Sequence, residues 1–479
     1  MFIREKRNIC FLLVLLLLLS ICTPLVGCTK ERQTMRILID DNSARGSERA
    51  MIEAVVAAVE EKYESVNFVI ETLPNEEDDR RVVLQRLQTE IMAGKGPDIY
   101  VLPGNYVFNT PLFFDVNQAM RNGMFEDLSE YYDADAGMNG LIPALMDAGV
   151  VDGKRYVLPM WYDLSVACVN RGIFDQTGFN EDIFNEGYIG LMQAVVDAPN
   201  AELAADVAEF SPIGVNVLNM LPQVIDYDTQ QVVLMLEALT SFMEQYQTMR
   251  DMQESREVFW QRYIPMTFEN YVEYAESSFS AWAVQNRSLE ICNLDTALAN
   301  AAVAKIEGID MDIIPLTAAD GTLTADVTLW GAVGAGCENT ELAYLFLSKL
   351  LSKEYQWEAY RLEEVQSIDI PNKGWPARTR DGISELYRNR TMHVLGQFSD
   401  EQQEMREIEL RDIAITNEDL PDFHEMIDQA QFSIPEEWVL ARFMQSELND
   451  PDTGETLDAD INAMMEKWLK DLQWRIAEG

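Results

Sequence analysis

The chain has 479 residues, 48% of them hydrophobic, and carries 81 acidic against 36 basic side chains, a formal net charge of −45. A field of that sign repels nucleic acid and anionic lipid alike, which excludes nucleic-acid binding and leaves neutral or cationic ligands preferred over polyanionic ones. The length exceeds what one hydrophobic core usually organises, so two domains are expected.

The first element is the apolar run at residues 9–21, behind Arg4, Lys6 and Arg7. It falls short of the roughly 20 apolar residues that span a bilayer and reads as a secretion leader. Leu25, Val26 and Gly27 then precede Cys28 and resemble the lipobox of bacterial lipoproteins, where a small residue before the cysteine admits the peptidase and the thiol takes lipid. The resemblance implies a signal peptide at 1–27, lipidation of Cys28 and a tether at 28–33, on the extracellular face of a bacterial cell membrane. At about 0.8 kcal/mol per buried methylene, two or three acyl chains hold a protein at a membrane without any spanning segment. An uncleaved signal anchor is the competing reading. No later apolar run is long enough to span.

Of six cysteines, Cys10 and Cys22 belong to the leader and Cys28 to the anchor. Cys168, Cys292 and Cys337 remain, an odd and widely spaced set that reads as buried thiols rather than a disulfide framework or a zinc site.

From Met35 onward short apolar runs alternate with amphipathic segments. "MRILID" is a predicted strand, "SERAMIEAVVAAVEEKYES" a helix capped by Ser47, and "VNFVIETLP" a second strand. "DDRRVVLQRLQTEIMAG" is a helix stopped by Gly94, and "PDIYVLPG" a third strand. This β-α-β-α-β order predicts an α/β fold with a mostly parallel sheet flanked by helices on both faces. Ligands of such sheets bind beyond the strand carboxyl ends. The candidates there are Asp41 and Asn42 after the first strand and Gly104, Asn105 and Tyr106 after the third, where Gly104 and Asn105 permit close backbone approach.

Residues from 178 to about 300 turn helical and acidic, which predicts a different domain. "MDIIPL" and "VTLWGAVGAG" return to β-rich composition, "TELAYLFLSKLLSKEYQWEAY" is an amphipathic helix begun by Thr340, and the remainder is mostly helical.

Five stretches, "AGKGPDIYVLPGN", "NGMFEDLSEYYD", "VDGKRYVLPMWYDLSVACVNRGIFDQTGF", "CENTELAYLFLSKLLSKEYQ" and "NKGWPARTR", resemble in this order the extracellular solute-binding lipoproteins of ABC importers, particularly the carbohydrate-binding group. The resemblance runs from the leader to about residue 380 and thins between 200 and 309. It implies a two-lobed periplasmic-binding-protein-like fold of type II, with a hinge between lobes and the ligand in the interlobe cleft. Its lobes would take residues 34–158 with 308–355 and 159–307 with 356–479, the stretch "YVLPMWYDLSVACVN" crossing between them. The implied partners are a carbohydrate, ABC transporter permease subunits and, through the lipid anchor, the membrane; no cofactor is implied.

On that frame Trp161, Tyr162 and Asp163 become a sugar-binding platform, since aromatic rings match the C–H face of a pyranose and a carboxylate accepts from its hydroxyls. Core aromatics beside a solvated aspartate are the alternative. Trp330, beside Gly331, either meets the ligand or is a buried tryptophan of a hinge strand. Trp375 is expected on a loop between Gly374 and Pro376, and Arg378 either forks onto the ligand or makes an interdomain salt bridge. Trp282 lies in "YAESSFSAW", where the family usually shows a glycine-rich segment, so its place in the cleft rests on position alone.

His393 and His424 have no nucleophile pattern beside them, so a histidine-based triad is unsupported. "DPDTGETLDADIN" fails the calcium-loop spacing at Thr453 and reads as an acidic loop opening a last helix, so no metal site is expected. A peptide or other small-solute receptor on the same fold, and a cell-surface glycoside hydrolase, are the alternative functions. The hydrolase needs a carboxylate pair that sequence spacing cannot reveal.

Overall fold

The structure, a computed structural model, describes residues 32–40, 47–104, 110–113, 115–178, 288–294, 308–317, 321–356, 375–378, 421–434 and 461–478, with isolated positions and pairs between 184 and 304. The chain begins with β1 (Gln33–Asp40), α1 (Ser47–Lys62), β2 (Val66–Leu73), α2 (Glu77–Met92) and β3 (Ile99–Pro103). Short helices α3 (Val116–Arg121), α4 (Ser129–Ala134) and α5 (Pro143–Asp147) follow, then the hairpin of β4 (Val150–Val151) and β5 (Lys154–Arg155). Next come β6 (Val157–Asn170), α6 (Arg171–Thr177), and the short pieces β7 (Ala208–Glu209), β8 (Ile225–Asp226) and β9 (Gln231–Val232). The rest are β10 (Leu289–Asn293), β11 (Met311–Pro315), β12 (Thr324–Val333), α7 (Thr340–Leu350), β13 (Trp375–Pro376), α8 (Pro421–Gln429), β14 (Gln431–Ser433) and α9 (Ile461–Glu478).

The β-α-β-α-β unit forms as its hydrophobic periodicity predicts. β1 lies between β2 and β3, parallel to both, with Ile37 opposite Ile70 on one side and Ile99 on the other. Every residue of β3 is buried, as expected of a strand covered on both faces. Glu77, Asp78 and Asp79 in the first turn of α2 complement the helix dipole, and Gly94, at φ +66°, ends the helix region as the sequence predicts. For α7 the capping residue differs by one from the expectation. Asn339 accepts from the Leu342 backbone N–H at 3.2 Å, and Thr340 is the first helical residue. The buried stripe of α7, including Leu342, Phe346, Leu347 and Leu350, packs on α1 and β12.

Beyond β3 the sheet turns antiparallel: β12 runs between β3 and β6. Gly331 of β12 permits this packing, because an added Cβ would come within 2.5 Å of Met160 and 2.7 Å of Leu347. The central member is β6, 14 residues long. From Val157 to Leu164 it pairs with β12, from Ser165 to Val169 with β10, and from Val166 to Asn170 with β11. One unbroken strand therefore serves two sets of neighbours, and the exchange falls between Leu164 and Ser165. The stretch expected to cross between lobes falls on this strand.

Most of the stretch expected to be helical and acidic, 178–300, lies outside the described residues. No helix among the described residues is long and apolar enough to cross a membrane.

Candidate functional site

The carboxyl ends of β1, β2 and β3 are tied together by one side chain. Arg80 sits on the buried face of α2 with Leu84 and Leu87, so its guanidinium is carried into the protein. It donates to the Asp40 carboxylate, at 3.1 Å to Oδ1 with a second contact to Oδ2, to the Pro74 carbonyl at 3.0 Å and to the Thr110 carbonyl at 2.6 Å. Asp40 ends β1, Pro74 follows β2 and Thr110 follows β3. Sequence reasoning missed this residue. The signal was an arginine on the apolar stripe of "DDRRVVLQRLQTEIM", spaced 80, 84, 87.

Asp41, Asn42, Asn105, Tyr106, Trp282 and the lipobox Cys28 lie outside the described residues. Gly104 is buried, and its N–H donates to the Thr328 carbonyl at 2.9 Å, so its close approach is to β12.

The three aromatics expected at a ligand face are enclosed in this structure. Trp161, Tyr162 and Trp330 are exposed by 1%, 0% and 1%. Tyr162 meets Phe432 edge-on at 5.2 Å between ring centroids. Trp330 donates from Nε1 to the Pro103 carbonyl at 3.0 Å and packs against Phe125 and Phe113 at 5.8 and 6.2 Å. Of the two roles open to Trp330, burial in the strand is the one the packing supports. An open platform of Trp161 and Tyr162 is thus corrected to a closed one, both side chains being buried in the core.

The expected loop at Trp375 is also corrected. Trp375 and Pro376 form β13, opposite Tyr162 and Trp161, and Ala377 N–H continues the pairing to the Met160 carbonyl at 2.9 Å. Pro376 has no N–H to give, which suits so short a strand. Arg378 is buried and spends its guanidinium on backbone carbonyls of Leu351, Asn139 (2.9 Å) and Gly137, a clamp on chain segments in place of the expected fork onto a ligand.

Asp163 is the member of the expected triplet that keeps partial solvent access. Its Oδ1 accepts from the Leu164 N–H at 2.8 Å. Directly across on β12 is Asp326, and across from that on β14 is Ser433. Residues directly opposite in a ladder share a face, so this row is polar while its neighbours Tyr162, Leu164, Ala325, Val327 and Phe432 form an apolar set. Burial, reinforced by the charge of Asp163, pushes Asp326 well above the usual carboxylate range. The row stands beside the point where β6 changes partners.

Cys168 is buried in β6 as expected, whereas Cys337 is half-buried, with burial pushing its thiol up to about 12, and the Cys292 side chain lies outside the described residues. His393 lies outside the described residues and His424 falls in α8. Among the described residues no group of three or more His, Cys, Asp or Glu side chains could hold a metal ion.

No protein-family model matches the chain, and no curated protein sequence matches it. Solved structures do. A periplasmic solute-binding protein from Pectobacterium atrosepticum is similar over 93% of this chain and 99% of its own, with 15% identity and a TM-score of 0.50. The sugar-binding protein MalE from Xanthomonas citri is similar over 93% and 98%, with 12% identity and a TM-score of 0.51. A de novo designed cysteine esterase matches equally well, with 13% identity and a TM-score of 0.51 over 94% and 99%. Likenesses this distant in sequence establish architecture, and one architecture carries both binding and designed catalysis. The chain has the type II periplasmic-binding-protein fold.

Proposed function

We propose that the protein is a lipid-anchored extracellular receptor that captures a carbohydrate between two lobes and delivers it to an ABC transporter. The lobes are residues 34–158 with 308–355 and residues 159–307 with 356–479. The observation that carries the reading is β6, one strand shared by two sets of neighbours, with the partly exposed Asp163 beside the exchange point. A carboxylate there can accept from sugar hydroxyls. Arg80 holds Asp40 and Pro74 at the carboxyl ends of β1 and β2, the side of α/β sheets where ligands bind. The leader and Cys28 support the anchor, and an exported receptor tethered at the surface supports delivery to a membrane importer.

Asp163 is the first residue of the proposed site, and the sequence candidates Asp41, Asn42, Asn105 and Tyr106 are proposed as further members. Binding closes the lobes by population shift, and the transporter recognises closure. A second reading, a receptor for a cationic peptide on the same fold, is favoured by the net charge of −45.

A thermal-shift screen across oligosaccharides, peptides and polyamines separates the two readings. A ligand at 100 times its Kd adds roughly 2.7 kcal/mol to stability. Stabilisation by an oligosaccharide, weakened by Asp163→Asn, is the expected result; stabilisation by basic peptides alone, or by no sugar, overturns the carbohydrate reading. Labelling cells with an alkyne fatty acid tests the anchor, since Cys28→Ala should abolish the label.

A further inference from the structure

Two aspartates face each other across β6 and β12, Asp163 and Asp326. Cβ atoms of directly opposed residues lie roughly 4.5–5.5 Å apart, a distance at which two charged carboxylates repel strongly. The environment treats them unequally. Asp163 keeps partial solvent access and accepts a backbone N–H, both of which favour its charged form. Asp326 is 6% exposed, and its Oδ1 is buried without a hydrogen-bond partner. A buried carboxylate oxygen in that position is costly unless the group is neutral.

Among the described residues the surrounding elements bring no cation to it, and Arg171 of α6, which packs on β6, is paired with Asp312 at 2.5 Å. β14 offers Ser433, while β13 offers Trp375 and Pro376. Where β3 pairs with β12 it contributes Tyr100 as its titratable group. On β6 the ionisable neighbours besides Asp163 are Tyr162 and Cys168. α5, which packs on β6 and β14, carries Asp147, largely exposed and paired with Arg155 at 3.6 Å. α7, packed on β12, carries Glu341 and Lys349, and Lys349 lies over the Tyr355 ring. Among the described residues, the charge that acts on Asp326 is that of Asp163.

We propose that Asp163 and Asp326 form a carboxyl pair that holds one proton at neutral pH, carried by Asp326, and that this proton joins β12 to β6 beside the point where β6 exchanges partners. The neutral Asp326 O–H donates toward the Asp163 carboxylate, so the pair bears one negative charge. Raising the pH removes the proton as H⁺ to solvent and leaves two opposed charges across the ladder. The joint is then weaker in alkaline than in acidic medium. The proposal goes beyond the receptor reading and stands or falls independently of any solute.

The sign is set by linkage. The unfolded chain loses the Asp326 proton near the ordinary aspartate value of about 3.9, while the folded chain keeps it to higher pH. Stability from this group is therefore fully present below that value and is lost as pH rises toward the raised folded value, by about tenfold in the folding equilibrium per pH unit. Asp326→Asn, which cannot ionise, lacks this loss.

The experiment uses the proton as probe, on the protein without added solute. Urea unfolding of the wild type and Asp326→Asn is followed from pH 4 to pH 8. The expected result is an advantage of the variant that grows with pH; a difference independent of pH overturns the proposal. Carbon-13 NMR of aspartate carboxyls in the folded wild type decides the matter even if the variant fails to fold. Asp326 should stay un-ionised at pH 6, and Asp163→Asn should move its titration downward. An Asp326 signal that titrates in the ordinary aspartate range, or one unmoved by Asp163→Asn, refutes the pair.

Discussion

Asp40 and Arg80 form an ion pair in which neither side chain has any solvent exposure, and the same guanidinium reaches the carbonyls that follow β2 and β3. The last residue of β1, Pro74 after β2 and Thr110 are thereby held by one positive charge. The arrangement satisfies the arginine with hydrogen bonds as well as with charge, the condition under which a buried pair is tolerated.

Removing one partner strands the other. Arg80→Met should lower stability by roughly 3–5 kcal/mol, because Asp40 loses the guanidinium that balances its buried charge. The double variant Arg80→Met with Asp40→Leu should recover a large part of that loss. Urea denaturation of the two variants side by side measures both effects; equal losses would show that Asp40 is not stranded.

Trp161 is exposed by 1%, so its truncation is first a packing event. Trp161→Ala should lower stability by roughly 3–5 kcal/mol, and Trp161→Phe by less, since the smaller ring leaves a smaller cavity. Differential scanning calorimetry distinguishes them. An alanine variant with an unchanged midpoint would mean that the indole is solvated in solution.

The Cys337 thiol, pushed by burial to about 12, should be almost entirely protonated at pH 8. Peptide mapping after iodoacetamide treatment should find Cys337 unmodified in the folded protein and modified in denaturant. Rapid modification of the native protein would contradict its buried setting.

Burial opposes ionisation of Glu90, yet hydrogen bonds and charges from Arg36 and Arg86 outweigh it and hold its carboxyl below the usual range. A depressed carboxylate contributes stability above its unfolded value, roughly 4.3, and loses it as pH falls further. Glu90→Gln should therefore be less stable than wild type at pH 7, the gap closing by pH 2–3. Both positions are near the surface, so the gap should also shrink in molar salt. Thermal melts at the two pH values and two salt concentrations check it.

Where local periodicity decides structure, the chain could be read directly. The alternation of "MRILID" and the helical spacing of "DDRRVVLQRLQTEIMAG" specify their elements, and Gly94 at positive φ ends the second as its position suggests. The side-chain environments could not be read, because they depend on pairings between distant positions. Nothing local tells that β13, more than two hundred residues away, pairs with β6 at Trp161 and Tyr162. Nor does "NKGWPARTR" reveal that Arg378 will meet carbonyls at Gly137 and Asn139. Two misplaced charges were nonetheless visible in hindsight: Arg80 on an apolar helical stripe, and Asp326 inside "TADVTLW", a strand otherwise rich in buried residues. Each marks a buried polar group.

The 14 residues of β6 finish the hydrogen-bonding of strands on both sides of the exchange at Leu164 and Ser165. Neither set of strands is a transplantable module: a fragment ending at Leu164 deprives β10 and β11 of the neighbour they pair with, and one starting at Ser165 does the same to β12. Grafting, splitting or circularly permuting the molecule must therefore spare this strand, and the breakpoints belong elsewhere along the chain.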